Sequence, residues 1–196
     1  MRELILASQS KYRALCLRDA GLQFSQIPSN FDESTISAAD PGALSAILAQ
    51  EKCLQVAANH PNSIVIGSDQ VAWCDNTRLS KPVTFENACA QLAFCQDKEA
   101  AFYTSVCVAR PNSSNTKSAT VLTTLKFRSL STEEITTYVQ KDQPLDCAGS
   151  FKIEENGIHL FEYVRSDDPT ALIGLPMLAT LAFLRELGIH PLEGVS

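Results

Sequence analysis

Residues 63–73 read SIVIGSDQVAW, a β-branched apolar run with an acid set into it. Short apolar runs of this composition are buried strands. The Gly-Ser-Asp-Gln step after Ile66 is expected to break or end the strand, which places Asp69 at the end of a buried element. In open α/β sheets that is where ligands bind. A carboxylate there is partly desolvated and can act as a base or hold a cation, although an ordinary turn or cap aspartate has the same local sequence.

Strand-like and helix-like segments alternate around this run. ELILAS reads as a first strand, followed by a helix from Lys11 to Ala20 that Gly21 stops, and LQFSQIP as a second strand. A polar loop over 29–42 leads to the helix PGALSAILAQEKCLQVAANHP, whose Leu44, Ile47, Leu48, Cys53 and Val56 form an apolar stripe. TFENACAQLAFCQ is a helix capped by Thr84. AFYTSVCVAR and ATVLTTLKFRSL form a hairpin with a mobile tip at 111–116. STEEITTYVQ opens on a capping box, Ser131 with Glu134. GIHLFEYV reads as a strand, and LPMLATLAFLRELG as a last helix closed by Gly188. Interleaving of this kind predicts an α/β fold, a mixed twisted sheet with flanking helices and an inserted β-hairpin. With 196 residues, 45% of them hydrophobic, and no visible linker, a single domain over 1–196 is expected.

The formal net charge of −6 argues against long nucleic acids, which need a basic face, but leaves room for a small anion held by a few local cations. No apolar run is long enough to cross a bilayer, and MRELILAS is too short for a signal peptide, so a cytoplasmic protein is expected. The seven cysteines are scattered without C-x-x-C or zinc spacing and read as small core residues. None of the three histidines, His60, His159 and His190, has an evident serine or cysteine partner for catalysis, which disfavours histidine-based nucleophilic chemistry. Neither a Walker loop nor G-x-G-x-x-G occurs.

The candidates for chemistry are therefore Asp69, the cations Arg13, Lys52 and Lys81, and the adjacent acids Asp32 and Glu33. Ser8 and Ser10 lie at a helix start, where free N–H groups can seat an anion or where serine simply caps. The residues alone support an acid–cation cleft in an α/β domain and name no substrate.

Taken in order, these segments resemble the Maf-like nucleotide pyrophosphatase family. LILASQSKYR is similar to its opening signature, FDES to its acidic loop and LAQEKC to its Leu-Ala-x-x-Lys-Ala. VIGSDQV is similar to the strand carrying its catalytic aspartate, and LSKPVTFENACAQL to its Gly-Lys-Pro and following helix. LSTEEITTYVQKDQPLDCAGSF and LIGLP complete a match from about Leu4 to Leu187. Lys11 stands where the family usually has proline, Ser80 where it has glycine, and Glu155 where one branch often has glycine. That branch, similar to 7-methyl-GTP pyrophosphatases, is the one suggested by Tyr12, Gln70 and Glu154; a dTTP/UTP branch usually has Arg, Thr and Gln there.

The resemblance implies a Maf/ITPase-like fold with a nucleotide cleft between two lobes. It also implies hydrolysis between the α and β phosphates of a nucleoside triphosphate. Asp69 would be the proton acceptor, and Arg13, Lys52 and Lys81 would meet phosphate with Ser8 and Ser10. Glu33 would hold a divalent cation, Mg²⁺ first and Mn²⁺ as the alternative. Tyr12 would stack on the base, Gln70 would donate to and accept from it, and Glu154 would oppose the charge of a methylated guanine. A small nucleotide is the expected partner, with a homodimer implied by the family. A dTTP/UTP pyrophosphatase and a non-catalytic nucleotide-binding regulator of cell division remain as alternatives.

Overall fold

In the computed structural model, which describes residues 3–113 and 115–192, the strand around Asp69 is longer than expected. β3 runs Ile64–Cys74 without interruption. The Gly-Ser-Asp-Gln step does not break it, because each polar side chain in it finds a partner that offsets its burial.

The remaining strands are β1 (Leu4–Leu6), β2 (Ser25–Gln26), β4 (Thr77–Leu79), β5 (Glu99–Ala109), β6 (Thr116–Phe127) and β7 (Phe161–Ser166). The helices are α1 (Lys11–Asp19), α2 (Pro41–Asn59), α3 (Phe85–Cys95), α4 (Thr132–Asp142) and α5 (Met177–Glu186), with 3₁₀ turns at Glu33–Thr35, Asn156–Leu160 and Ala171–Ile173. The strands form a mixed sheet in the order β2-β1-β3-β5-β6-β7, with β4 paired to β3. β1 runs parallel to both β2 and β3, whereas β4 on β3 and β7 on β6 are antiparallel. β5 and β6 are sheet neighbours, as the hairpin reading requires; the tip expected to be mobile includes Ser114, which lies outside the described residues.

Three segments depart from the sequence reading. LQFSQIP keeps only Ser25–Gln26 as strand. GIHLFEYV begins as a 3₁₀ turn and becomes strand only at Phe161. β4 was not anticipated; it follows a tight turn whose Asp75 and Asn76 take φ of 49° and 58°, a conformation these two residue types tolerate well.

The described chain divides into two compact units. The first comprises the residues up to Gln70, Thr104–Val121 and those from Asp168 on. Its core follows strand alternation. Leu4, Leu6, Ile64, Ile66, Val106 and Val108 pack with Ala14 and Leu17 of α1 and Met177 and Leu184 of α5. Ile5, Ala7, Val65, Cys107 and Ala109 point the other way, onto Ala49, Cys53 and Val56 of α2. Helices thus cover both sides of the parallel β1–β3 pair, as parallel strands require.

The N-cap of α5 is Pro176, which offers no capping side chain. Asp168 substitutes. Its Oδ2 accepts from the Leu178 N–H at 2.7 Å, and its Oδ1 accepts from the N–H and hydroxyl of Thr170. The Thr170 hydroxyl also accepts from the Met177 N–H. Asp168 is 2% exposed, so Asp168→Ala is expected to cost about 2–3 kcal/mol in lost charged capping and unsatisfied buried N–H groups. In a chain of this size that lowers Tm by roughly 4–12 °C; a calorimetric scan reads it directly.

The second unit comprises Val71–Tyr103 and Leu122–Asp167. Phe102, Phe127, Phe151 and Phe161 stack edge to face at its centre, with centroids 4.8 to 6.1 Å apart. α3 is capped by Thr84, and α4 carries the expected Ser131–Glu134 capping box. Five of the seven cysteines are buried and none forms a disulfide among the described residues, in keeping with their reading as small apolar residues.

Candidate active site

Alternation along β3 sorts its polar residues onto two faces. Residues 65, 67 and 69 face α2, while 68 and 70 face the turn at 171–174. Position 67 lacks a side chain for a steric reason: a Cβ there would lie 2.4 Å from the Ala49 carbonyl oxygen and 2.6 Å from the Cys53 Cβ. The glycine lets β3 and α2 approach closely and brings Lys52, the neighbour of Cys53, down to Asp69.

Lys52 and Asp69 are 9% and 6% exposed. The Lys52 ammonium donates to Asp69 Oδ1 at 2.5 Å and meets Glu33 Oε1 at 2.6 Å. One buried cation is thus shared by two carboxylates, so that loss of one still leaves the ammonium paired with the other. The adjacent acids of the 29–40 loop separate here. Asp32 caps its own turn through Ser34, whose N–H and hydroxyl hold its carboxyl below the usual range. Glu33 turns toward Lys52.

Ser10 is the N-cap of α1, accepting from the Arg13 N–H at 3.3 Å. Ser8 accepts from the Ser10 N–H and from Arg13 Nη1. Arg13 Nε donates to the Gly174 carbonyl at 2.9 Å. Burial pushes the Arg13 pKa down, while Asp69 and Glu33 oppose the shift; guanidinium remains protonated at any physiological pH. Its charge therefore acts on the same carboxylates that Lys52 pairs. The Lys11 ammonium lies 4.8 Å from the centroid of the Tyr12 ring, so the residue standing in place of the family's proline puts a cation over the ring expected to meet the base.

Gln70 is held by the protein itself. Its amide nitrogen donates to Thr104 Oγ1 and to the carbonyls of Ala171 and Leu172, at 3.0 to 3.2 Å. Both amide hydrogens are occupied within the protein, and the side chain has only Oε1 left to offer as an acceptor.

Lys81 and Glu154 belong to the second unit. Both side chains are exposed. Desolvation by the surrounding chain raises the Glu154 pKa, with Glu155 and Asp146 adding to the rise and Lys152 opposing it. Glu155, a departure from the family pattern, is accommodated by an ion pair: the Lys152 ammonium meets its Oε1 at 3.2 Å. Val83, two residues after Lys81, holds φ at 68°, a strained value for a β-branched residue.

Sequence reasoning missed the turn at 171–174. Its Gly174 carbonyl holds Arg13 and Ser68, and its Ala171 carbonyl holds Gln70 and Thr104. Main-chain acceptors leave no residue signature; the φ of 123° at Gly174 is the one local hint, since it calls for glycine.

A family model described as Maf-like protein matches residues 3–187. Three curated relatives named 7-methyl-GTP pyrophosphatase align over nearly their whole length. The protein from Saccharophagus degradans is 42% identical, over 96% of this chain and 96% of its own. That from Xanthomonas axonopodis pv. citri is 44% identical, over 97% and 99%, and that from Bordetella pertussis 40%, over 98% and 96%. A HAM1 protein of solved structure from Coxiella burnetii is 12% identical with a TM-score of 0.44, over 94% of this chain and 100% of that one.

Proposed function

This chain belongs to the Maf-like protein family, and on that premise we propose that it is a nucleoside triphosphate pyrophosphatase acting on 7-methyl-GTP. The reaction adds water across the α–β anhydride and releases 7-methyl-GMP and pyrophosphate. The observation that carries the reading is the buried lysine shared by Asp69 and Glu33, beside a guanidinium fixed by Ser8 and Gly174. The names of the relatives supply the substrate.

Asp69 Oδ1 is anchored on Lys52, which leaves Oδ2 to take a proton from the attacking water. Lys52 and Arg13 stabilise charge on the phosphates, and the positive end of the α1 dipole adds to that field. Chemistry of this kind rests on positioning and electrostatics, so it needs no nucleophilic side chain.

A divalent cation suits the donor set. Glu33 and Asp69 are hard oxygen donors, and Mg²⁺ is held by one or two carboxylates with substrate phosphates completing its shell. Among the described residues no three acidic, histidine or cysteine side chains group into a dedicated metal cage, which fits an ion that arrives with the nucleotide. Such an ion would neutralise phosphate charge; Mg²⁺ is favoured, with Mn²⁺ next. No helix among the described residues is long and apolar enough to cross a membrane, and seven cysteines outside any disulfide suit the reducing cytoplasm, where we place the activity.

Pyrophosphate release from a panel of nucleotides, with Mg²⁺, Mn²⁺ or chelator, tests this. The expected preferred substrate is 7-methyl-GTP, with turnover lost in chelator. A strong preference for dTTP or UTP reverses the substrate assignment, and saturable binding without turnover overturns the enzyme reading.

A further inference from the structure

We propose that Glu33 makes this site select metal-bound over metal-free nucleotide, because its carboxylate competes with phosphate for Lys52 until a divalent cation balances its charge. The inference deepens the pyrophosphatase reading above and rests on it, since it takes Lys52 and Arg13 as the cations that meet phosphate.

Arg13, Lys52, Glu33 and Asp69 act on one another within the first unit. Two cations and two carboxylates cancel formally, so a triphosphate arriving alone meets no net positive charge from them. A phosphate contact with Lys52 also competes with carboxylate oxygens already at 2.5 and 2.6 Å. The two carboxylates are not equally able to yield. Asp69 is fixed on β3 with its side chain 8% exposed. Glu33 stands on a three-residue 3₁₀ turn in a polar loop, and its side chain is 51% exposed. Water can take the place of Lys52 around Glu33 far more readily than around Asp69. Glu33 is therefore the carboxylate that a phosphate displaces.

Glu33 is also a hard oxygen donor of the kind that Mg²⁺ takes. With its charge balanced by such an ion, its hold on Lys52 weakens and the remaining groups favour phosphate. Metal and nucleotide binding are thereby coupled through Lys52, by the same factor in both directions. Asp32 supplies the control. It carries the same charge one residue away, but its carboxylate is engaged by the Ser34 N–H and hydroxyl. Asparagine caps as aspartate does, so Asp32→Asn removes an equal charge from the loop and leaves both Lys52 ion pairs in place.

The test titrates the α,β-methylene analogue of 7-methyl-GTP, whose P–C–P bridge resists hydrolysis, into the parent, Glu33→Gln, Glu33→Ala and Asp32→Asn. Each calorimetric titration is run in chelator and in saturating Mg²⁺ at constant ionic strength. The parent is expected to bind the analogue at least about tenfold more tightly with Mg²⁺ than without, within the usual range of coupling between two ligands. Both Glu33 variants keep Lys52 paired with Asp69 and are expected to stay folded. They are expected to bind the metal-free analogue about five- to tenfold more tightly than the parent does, and to gain less than about threefold from Mg²⁺. Asp32→Asn is expected to match the parent in both conditions. Metal-free affinity that does not rise in folded Glu33 variants overturns the proposal, and so does an undiminished gain from Mg²⁺. An equal rise in Asp32→Asn overturns it too, since any carboxylate of the loop would then act through its field alone. A parent indifferent to Mg²⁺ does the same. A parent that binds the analogue in neither condition overturns instead the pyrophosphatase reading itself.

Discussion

Asp69→Asn is expected to lower turnover of 7-methyl-GTP by roughly two to four decades, the usual contribution of a positioned general base, while the protein stays folded and still binds nucleotide. The substitution removes the proton acceptor and little else. Asparagine Oδ1 can still accept from the Lys52 ammonium, and Glu33 at 2.6 Å continues to compensate that charge. The buried lysine is therefore not left alone, which is the situation that makes breaking an internal ion pair so damaging. Single-turnover pyrophosphate release measures the chemical step, and calorimetric titration in the absence of turnover measures binding. An asparagine variant as fast as the parent would remove Asp69 from its role; one that is slow only because it no longer binds would make the residue a ligand and not a base.

Much of this site is legible in the sequence, and the limits have physical causes. The strand around Asp69 stands out because β-branched residues flank it, but Gly-Ser-Asp-Gln reads as a break because such residues are rare in strands. Partners distant in the chain, Lys52, Gly174 and Ala171, let the pleat continue. Asp32 and Glu33 are interchangeable as letters. Only the 3₁₀ turn at Glu33–Thr35 gives one to capping and the other to Lys52. Lys52 itself is one cation on an amphipathic helix until Gly67 shows how close that helix lies. Thr104 sits in a β-strand sequence where any hydroxyl would pass as a core residue, and the carbonyls of 171–174 are marked in the sequence only indirectly, by Gly174 within LIGLP. The family resemblance supplied the register that spacing alone did not, but nothing in the sequence shows that the Gln70 amide nitrogen is held by Thr104, Ala171 and Leu172.

Gly67→Ala should be among the most damaging single-methyl additions to this chain. The added Cβ meets the Ala49 carbonyl oxygen at 2.4 Å and the Cys53 N at 2.7 Å, and both are backbone atoms of α2. No rotamer change relieves a contact with backbone, so strand and helix must separate. Overpacking of this kind costs 1–3 kcal/mol where side chains yield and more where they cannot, so a loss of at least about 3 kcal/mol is expected. At about 2–4 °C per kcal/mol for a chain of this length, Tm falls by roughly 6–12 °C or more. Activity should fall further than stability alone explains, because the same displacement carries Lys52 away from Asp69, and a misplacement of about 1 Å can cost on the order of a hundredfold in rate. The two effects separate when kcat is measured well below the variant's own melting range. Full kcat in the folded fraction would show that Lys52 needs no close helix to serve Asp69, and an unchanged Tm would refute the tight contact between β3 and α2 on which the whole charged cluster is built. Cys53→Ala offers a control: it leaves the Cys53 Cβ and both backbone contacts in place, so it should not rescue Gly67→Ala.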